Sequence, residues 1–202
     1  MSLEWCSDSM AVPAAVAHGG AGPGPPRQRN VETAIARAAN ILEAGGSAVE
    51  AAVEACVILE DDPVFNAGTG AVYRTDGSVL LDASLHTSDG RMGFVIAMRD
   101  TPNPIRVAAD LLDEEINGLA GNGARVWADS KGHPKASVEG RPPRVGVGDT
   151  VGVIARDSTG ALACATSTGG TSYSPTGRVG NIPLPGSGSW ATQQLAVAAK
   201  GA

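Results

Sequence analysis

The sequence predicts a mixed α/β domain, and its composition and pattern both support that prediction. Of its 202 residues 43% are hydrophobic, which is ordinary for a globular protein, while only 3% are aromatic and 27 are glycine. Such a core must be built from Ala, Val, Leu and Ile, with backbone segments close together where glycine clusters. Helical periodicity precedes residue 60 and strand-like runs follow it, so we expect a single sandwich of sheets and helices spanning residues 1–202.

The first part of the chain is expected to hold one strand and two helices. A short apolar run at residues 14–17 predicts the strand. Asn30 is placed to cap a helix that runs from residue 31 to about 44, where two glycines end it. Ser47 and Glu50 form a capping-box pattern, which predicts that a second helix starts there.

Strands are expected to dominate the middle of the chain. Residues 71–75 and 78–82 flank an Asp-Gly pair, which is a strong signal for a tight hairpin. Residues 92–99 form an apolar run that indicates a buried strand. Asn103 and Pro104 then predict a third helix, as its cap and its first-turn proline.

Residues 129–148 predict an exposed connector, because they are rich in Lys, Arg, Pro and Gly and show little periodicity. Residues 151–156 and 161–166 follow as two strand patterns. The Asp-Ser-Thr-Gly sequence between them predicts a turn, so these two strands are expected to form a hairpin directly after the connector.

The composition argues against nucleic acid and membrane as partners. The net charge is −6, and no cluster of Lys and Arg would attract phosphates. No apolar run approaches the ~20 residues that span a bilayer, and the N-terminus lacks the layout of a signal peptide. Cys6, Cys56 and Cys164 are widely spaced and fit neither a disulfide framework nor a metal site. We expect a cytoplasmic protein that binds a small polar molecule.

The strongest chemical signal is the pair Asp149-Thr150 at the end of the connector. A threonine hydroxyl is a weak nucleophile, but the free α-amino group of the same residue, with a pKa of ~8, can serve as its base. Thr150 would then have to become an N-terminus. Asp149 suggests how, since a carboxylate beside the Asp149–Thr150 bond can assist attack of the hydroxyl on that bond. The alternative is an ordinary strand that starts after a Gly-Asp turn.

Thr168 and Arg178 follow Thr150 in one uninterrupted block. A planar guanidinium can hold a carboxylate through two parallel charge-assisted hydrogen bonds. Gly177 and Gly180 on either side of Arg178 would let the backbone approach a ligand closely. Arg178 is therefore a candidate carboxylate clamp, whereas an isolated arginine is usually a solvated surface group.

Several motifs occur together in the order found in one family. They are His18-Gly19-Gly20-Ala21-Gly22, Phe65-Asn66-Ala67-Gly68-Thr69-Gly70, Leu81-Asp82-Ala83-Ser84, Thr150-Val151-Gly152, Thr168-Gly169-Gly170 and Gly177-Arg178-Val179-Gly180. On these motifs the chain resembles the isoaspartyl peptidase/L-asparaginase family of N-terminal-nucleophile hydrolases, the plant-type asparaginases, to which glycosylasparaginase is related. The resemblance implies a four-layer αββα sandwich. It also implies self-cleavage into an α-subunit, residues 1–149, and the start of a β-subunit, residues 150–202, assembled as an (αβ)₂ homo-oligomer.

The resemblance also implies roles for particular residues. Thr150 would attack the side-chain amide of asparagine or of a β-aspartyl peptide, with Thr168 as its hydrogen-bond partner, and Asn66 would order the surroundings of the nucleophile. Arg178 would bind the substrate α-carboxylate. Asn181 stands where the family has an aspartate for the α-ammonium, so it supplies an acceptor without a charge.

A loop before the Asn-Ala-Gly motif resembles the family's sodium-binding loop. The backbone carbonyls that would hold the ion belong to Leu59, Glu60, Asp62, Phe65, Ala67 and Thr69. Oxygen ligands alone suit a hard cation. An ordinary loop without a metal remains the alternative, and no other cofactor is expected to be required.

The end of the chain departs from the family pattern. Gly201 aligns with the glycine of a Thr-Gly pair that helps to bind substrate and build the oxyanion hole, but Lys200 stands at the threonine position. Since family members continue beyond this point, the sandwich is expected to be incomplete at the C-terminus. His18 is expected to be structural, at the end of the first strand, and Cys164 is expected to lie in the core.

Three functions follow from these features. The first is an autoprocessed threonine hydrolase that releases L-aspartate from asparagine or β-aspartyl peptides. A glycosylasparaginase-like amidase is the second, because that branch shares the Asp-Thr pair. The third is an inactive or unprocessed family member that acts as a ligand-binding or scaffold protein, which Asn181 and Lys200 favour.

Overall fold

The computed structural model describes residues 10–21, 26–142 and 150–199. Eight strands and four α-helices lie in these ranges. The strands are β1 (Ala14–His18), β2 (Leu81–Thr87), β3 (Met92–Met98), β4 (Gly118–Ala120), β5 (Val151–Arg156), β6 (Leu162–Thr168), β7 (Ser189–Ala191) and β8 (Ala196–Ala198). The helices are α1 (Gln28–Glu43), α2 (Ala48–Asp61), α3 (Pro104–Asp110) and α4 (Gly121–Ser130). The mixed α/β class predicted from the sequence is confirmed.

Six strands form one mixed sheet in the order β1-β5-β6-β2-β3-β4. All neighbours are antiparallel except β3 and β4. β1 pairs with β5 so that His18 lies opposite Gly152, and β6 pairs with β2 so that Thr168 lies opposite Asp82. These two pairings bring distant motifs to one end of the sheet.

The helices cover one face of the sheet and form the core with it. α2 packs on β5 and β6, α3 packs on β2 and β3, and α1 packs on α2 and β1. Val151, Val153 and Ala155, every second residue of β5, are fully buried against the helices. Each fully buried valine contributes roughly 1.5–3 kcal/mol. The four alanines of α2 are all buried, which lets α1 and the sheet approach this helix closely.

The opposite face of the sheet carries polar side chains and is partly covered by the β7–β8 hairpin. β2 is buried along its whole length, because helices cover one face and the hairpin lies over the other. The Ser84 hydroxyl donates to the carbonyl of Ile182 (2.8 Å) and lies 2.8 Å from the Thr166 hydroxyl and 3.0 Å from that of Ser189. Since a hydroxyl donates once and accepts twice, this buried group is fully satisfied.

Several sequence predictions are confirmed in detail. The strands at residues 14–17 and 92–99 and the hairpin of β5 and β6 all form within one or two residues of the expected ends. The strand at 92–99 was predicted to be buried, but β3 is buried only at Gly93, Val95 and Met98 and half-buried elsewhere. Ser47 caps α2 by accepting the Glu50 N–H at 3.1 Å. The third helix begins at Pro104 as predicted.

The prediction that Asn30 caps the first helix is wrong. α1 begins earlier, at Gln28, so Asn30 lies inside the helix. Its side-chain amide donates instead to the Asp62 carboxylate at 2.7 Å. This contact joins the first turn of α1 to the end of α2, and the sequence of the helix alone does not reveal so distant a partner.

The predicted hairpin of residues 71–75 and 78–82 is also wrong. The turn forms, with the Arg74 N–H donating to the Ser78 carbonyl at 2.9 Å, but neither arm continues as a ladder. The backbone N–H groups of Val72, Tyr73 and Thr75 donate elsewhere, to the Asn66 side chain and to two other loops. The first arm therefore leaves the sheet, and the second becomes a strand only from Leu81.

The expected connector begins later than predicted. α4, for which we made no sequence prediction, ends at Ser130 and so includes the first two connector residues. Residues 131–142 form no helix or strand apart from a single bridge between Val72 and Arg141. The remainder of the connector, 143–148, lies outside the described residues. None of the described helices is long and apolar enough to cross a membrane.

Candidate active site

Thr150 directly precedes β5, on the polar face of the sheet. The residue is only 2% exposed, and its hydroxyl donates to the Thr168 hydroxyl across a distance of 3.3 Å. Thr168 ends β6, and the antiparallel pairing of β5 with β6 brings the two side chains together. Asp149, the other half of the predicted cleavage bond, lies outside the described residues.

The Thr168 hydroxyl also accepts a hydrogen bond from the Gly170 N–H at 3.1 Å. The loop that follows β6 therefore folds back onto its own last strand residue. Gly170 has φ +87°, a left-handed conformation that glycine adopts without strain. Thr168 is thereby connected to both Thr150 and the loop that leads to Arg178.

Asn66 holds the same loop from the other side. Its amide donates to the Gly170 carbonyl at 2.6 Å, and its oxygen accepts the Val72 N–H at 3.0 Å. Its backbone carbonyl accepts the Gly169 N–H at 2.8 Å. A Cβ at Gly169 would stand 2.5 Å from the Asn66 side-chain oxygen, so only glycine permits this approach. Asn66 is fully buried and fixes the loop beside Thr168.

His18 lies beside the nucleophile candidate, at the end of β1. A Cβ at Gly152 would stand 2.4 Å from the His18 Nε2 atom, so the ring packs directly on the glycine of the Thr-Val-Gly motif. The Gly20 N–H donates to its Nδ1 atom at 3.3 Å, which leaves the proton on Nε2. Burial lowers the pKa of His18, and the nearby Thr150 carbonyl opposes this only in part. The ring is neutral at pH 7.

Arg178 follows a turn and folds over Gly180. A Cβ at Gly180 would lie 3.4 Å from the Arg178 Nη1 atom, and one at Gly170 would lie 4.0 Å from it. Arg178 is half-buried, so its guanidinium can meet a ligand from solvent. Below it, Arg74 is only 3% exposed and donates from Nη1 to the Arg178 carbonyl at 3.0 Å.

Asp82 is a fully buried carboxylate on the same side of the sheet as Thr168. The two residues are directly opposite in the β2–β6 pairing, and such pairs share a face. One Asp82 oxygen accepts the Ala97 N–H at 2.8 Å, where the β2–β3 register shifts, and the other has no hydrogen-bond partner among the described residues. Burial raises the pKa of Asp82, and the cations Arg74 and Arg178 act against that shift.

The remaining predicted binding residues lie at the edge of this region or outside it. Asn181 is half-buried next to Arg178, and its carbonyl accepts the Leu184 N–H at 3.2 Å. Gly201 and Lys200 lie outside the described residues, as does Cys6. Cys164 is buried on the polar face, where its thiol donates to the Val197 carbonyl at 3.1 Å. Burial raises its pKa to about 12, so this thiol stays protonated at neutral pH.

The loop predicted to bind sodium follows α2 and brings carbonyl oxygens close to its glycines. A Cβ at Gly68 would stand 2.5 Å from the Glu60 carbonyl, and one at Gly70 would stand 2.0 Å from the Phe65 carbonyl. The described residues contain no group of three or more His, Cys, Asp or Glu side chains that could hold a metal. A cation here would rest on backbone oxygens, which a hard ion prefers.

Sequence reasoning missed Arg74 and Asp82. Arg74 lay in a predicted hairpin arm, where an arginine is usually solvated. Asp82 belongs to the Leu-Asp-Ala-Ser motif, which by itself indicates no role for this carboxylate. The polar residues Asp82, Ser84 and His86 alternate along β2, and that period of two could have marked a second, polar buried face.

Comparisons with known proteins identify the family of this sequence. The family model described as asparaginase matches residues 12–141 and 133–202. The isoaspartyl peptidase/L-asparaginase of Rattus norvegicus is 38% identical over 213 residues, covering 89% of this chain and 62% of the rat protein. The human protein of the same name is 37% identical, covering 91% and 68%, and that of Synechocystis sp. is 33% identical, covering 86% and 61%.

The chain spans about three fifths of the length of the rat and mouse relatives. The match nevertheless includes both threonines, the Asn66 loop and the segment around Arg178. On the extent of the family match and the identity to these relatives, the chain belongs to the asparaginase family.

Proposed function

We propose that this protein is a threonine amidohydrolase that releases L-aspartate from L-asparagine or β-aspartyl peptides. The observation that supports this most directly is the 3.3 Å separation of the hydroxyl oxygens of Thr150 and Thr168 at a buried strand start. Relatives that match most of the chain are named isoaspartyl peptidase/L-asparaginase, which supports the same chemistry.

In the proposed reaction, cleavage of the Asp149–Thr150 bond frees the α-amino group of Thr150. That amine takes the proton of the Thr150 hydroxyl while the oxygen attacks the side-chain carbonyl of the substrate. Ammonia or an amine leaves with the returned proton, and water then hydrolyses the ester to release aspartate. Thr168, held by the Gly170 N–H, orients the attacking hydroxyl.

The burial of the two threonine side chains is suited to this chemistry. Thr150 and Thr168 are 2% and 3% exposed, so water competes little with their mutual hydrogen bond. The neutral ring of His18 packs on the backbone of Gly152 without adding a charge beside the nucleophile. Arg178 supplies positive charge for the substrate α-carboxylate, while Asn181 supplies an acceptor but no charge for the α-ammonium. We therefore expect weak binding of free asparagine.

Activity of two Thr150 variants tests the proposal. Thr150→Ala should abolish release of aspartate from both asparagine and β-aspartyl-glycine, while Thr150→Ser, which keeps a hydroxyl, should retain part of it. Full activity of Thr150→Ala would refute the proposal. Release of aspartate from a glycosylated asparagine but not from asparagine would establish the glycosylasparaginase-like alternative. If the wild-type protein turns over none of the three and is uncleaved, it is the ligand-binding alternative.

Four further features remain predictions within this proposal. They are the single domain divided into 1–149 and 150–202, the (αβ)₂ assembly, the structural sodium ion and a cytoplasmic location. Light scattering on the purified protein tests the assembly: a mass of two processed chains is expected, and a monomer would contradict it.

A further inference from the structure

Arg74 has a free binding edge in the interior of the protein. The residue is 3% exposed, and its Nη1 atom donates a hydrogen bond to the Arg178 carbonyl. Its other two nitrogens, Nε and Nη2, are buried and have no hydrogen-bond partner among the described residues. These two nitrogens form the side of a guanidinium that can bind both oxygens of one carboxylate. Two buried N–H donors without an acceptor cost free energy, and a bound ligand with two acceptor oxygens would remove that cost.

This free edge meets Arg178 beside the reacting hydroxyls. A Cβ at Gly170 would stand 3.5 Å from Arg74 Nη2 and 4.0 Å from Arg178 Nη1, so both guanidiniums converge on that glycine. The Gly170 N–H in turn donates to Thr168, whose hydroxyl accepts from Thr150. A carboxylate held by both arginines would therefore be separated from the candidate catalytic pair only by Gly170.

The charges around the two arginines favour an anion. Asp82 is the buried carboxylate that acts on both, and Asp76 and Arg99 act on Arg74 from the surface. Burial lowers the pKa of Arg74, with Arg178 adding to the shift and Asp82 opposing it. Arg74 and Arg178 together carry one more charge than Asp82, the buried carboxylate that acts on both, and a bound carboxylate would neutralise that excess.

We propose that Arg74 is a second carboxylate-binding residue of this site, which holds the α-carboxylate of an aspartyl ligand together with Arg178. The identity of the ligand rests on the proposed function, but the binding of a carboxylate by these two arginines does not. Arg178 provides the solvent-facing contact and Arg74 the buried one. Asp82 keeps the two like charges together, so the pair is ready before the ligand arrives.

The test is a binding measurement on the full chain with two small probes. Calorimetry gives the affinity for L-aspartate, which has the α-carboxylate, and for L-isoasparagine, in which that carboxylate is an amide. The wild-type protein should prefer L-aspartate. Arg74→Gln should lower L-aspartate affinity by about 10- to 100-fold, because a charge-assisted contact is lost, and should leave L-isoasparagine affinity within about twofold. Arg74→Lys, which keeps the charge but not the two-nitrogen edge, should be intermediate.

Arg99→Gln is the matched control. It removes the same charge from an exposed arginine near Arg74 and should leave both affinities within about twofold of wild type. Arg178→Gln should reduce the preference for L-aspartate as Arg74→Gln does. Thermal melting of each variant reports folding, and Arg74→Lys remains informative if Arg74→Gln does not fold.

The outcomes separate this inference from the proposed function. Equal losses for both probes in Arg74→Gln, or unchanged L-aspartate affinity, would show that Arg74 only anchors the Arg178 backbone and would overturn the inference. Failure of the wild-type protein to bind L-aspartate would overturn it too. L-Aspartate binding that depends on Arg74 in a protein without amidase activity would uphold the inference while the proposed function fails.

Discussion

The hydroxyl oxygens of Thr150 and Thr168 lie 3.3 Å apart, although the residues are separated by 18 positions in the chain. The β5–β6 hairpin brings them together, and its turn is closed by Asp157, whose carboxylate accepts the Thr159 and Ala161 N–H groups at 2.9 and 3.2 Å. A local hairpin with an ordinary turn thus places both residues of the proposed catalytic pair. The more distant loops, held by Asn66, complete the site.

Thr168→Val should lower kcat/KM by about 10- to 100-fold, since it removes a hydrogen bond to a group that develops charge. Thr168→Ser should retain most activity. Thr166→Val is the matched control, because Thr166 lies two positions away on the same buried face and bonds to Ser84 instead. It should affect melting temperature more than kcat/KM. Equal kinetic losses in Thr166→Val and Thr168→Val would argue that both act through folding alone.

Asn66→Ala should destabilise the protein by about 2–5 kcal/mol, because it leaves the buried Gly170 carbonyl and Val72 N–H without partners. Urea unfolding measures this change. Gln28→Ala serves as the control: it removes an exposed amide that donates to the Glu32 carboxylate at the surface, at 2.7 Å, and should cost less than about 1 kcal/mol. A similar small cost for Asn66→Ala would contradict the close packing described for this loop.

The buried Glu60 side chain should lower the free energy of unfolding as pH rises. The side chain is fully buried, and burial raises its pKa to about 8. Between pH 4.5 and about 8 the unfolded chain loses the Glu60 proton while the folded chain keeps it, so the free energy of unfolding falls by up to about 1.4 kcal/mol per pH unit. Glu60→Gln should remove this slope and stabilise the protein at pH 7.

Glu54→Gln provides a control of opposite sign. Hydrogen bonding to Arg106 lowers the pKa of Glu54, so its contribution to stability is present above pH 4.5 and is lost as pH falls through the folded pKa. Glu54→Gln should therefore destabilise at pH 7 and lose its effect in acid. Urea titrations from pH 4 to 8 measure both variants. Identical pH profiles for Glu60→Gln and wild type would show that Glu60 ionises normally.

Sodium should stabilise the loop between α2 and Gly70 if its carbonyls bind the ion. Melting temperature should be higher in sodium chloride than in choline chloride at equal ionic strength. Gly68→Ala should remove the difference, because a Cβ there would press to 2.5 Å from the Glu60 carbonyl. The same melting temperature in both salts would rule out a stabilising sodium ion.

Local sequence signals predicted the elements that position Thr150, the proposed nucleophile, whereas tertiary contacts determined the other elements. The start of α2 after Ser47, the start of α3 at Pro104 and the β5–β6 turn are determined by residues that are neighbours in the sequence. These boundaries could therefore be predicted. Asn30 and residues 71–75 could not, because their hydrogen-bond partners lie 32 or more positions away in most cases.

The candidate site shows the same division. Thr150, Thr168, Asn66 and Arg178 were recognised because they belong to sequence motifs. Arg74 belongs to no such motif, and only its burial and its position next to Arg178 reveal it. The role of such a buried charged residue can be inferred only when the structure shows which groups surround it.

The mass of the purified protein under denaturing conditions tests the central claim most directly. A competent Thr150 should yield two fragments, residues 1–149 and 150–202, and Thr150→Ala should yield one intact chain. An intact wild-type chain, or cleavage that persists in Thr150→Ala, would contradict the assignment of Thr150 as a self-activated nucleophile.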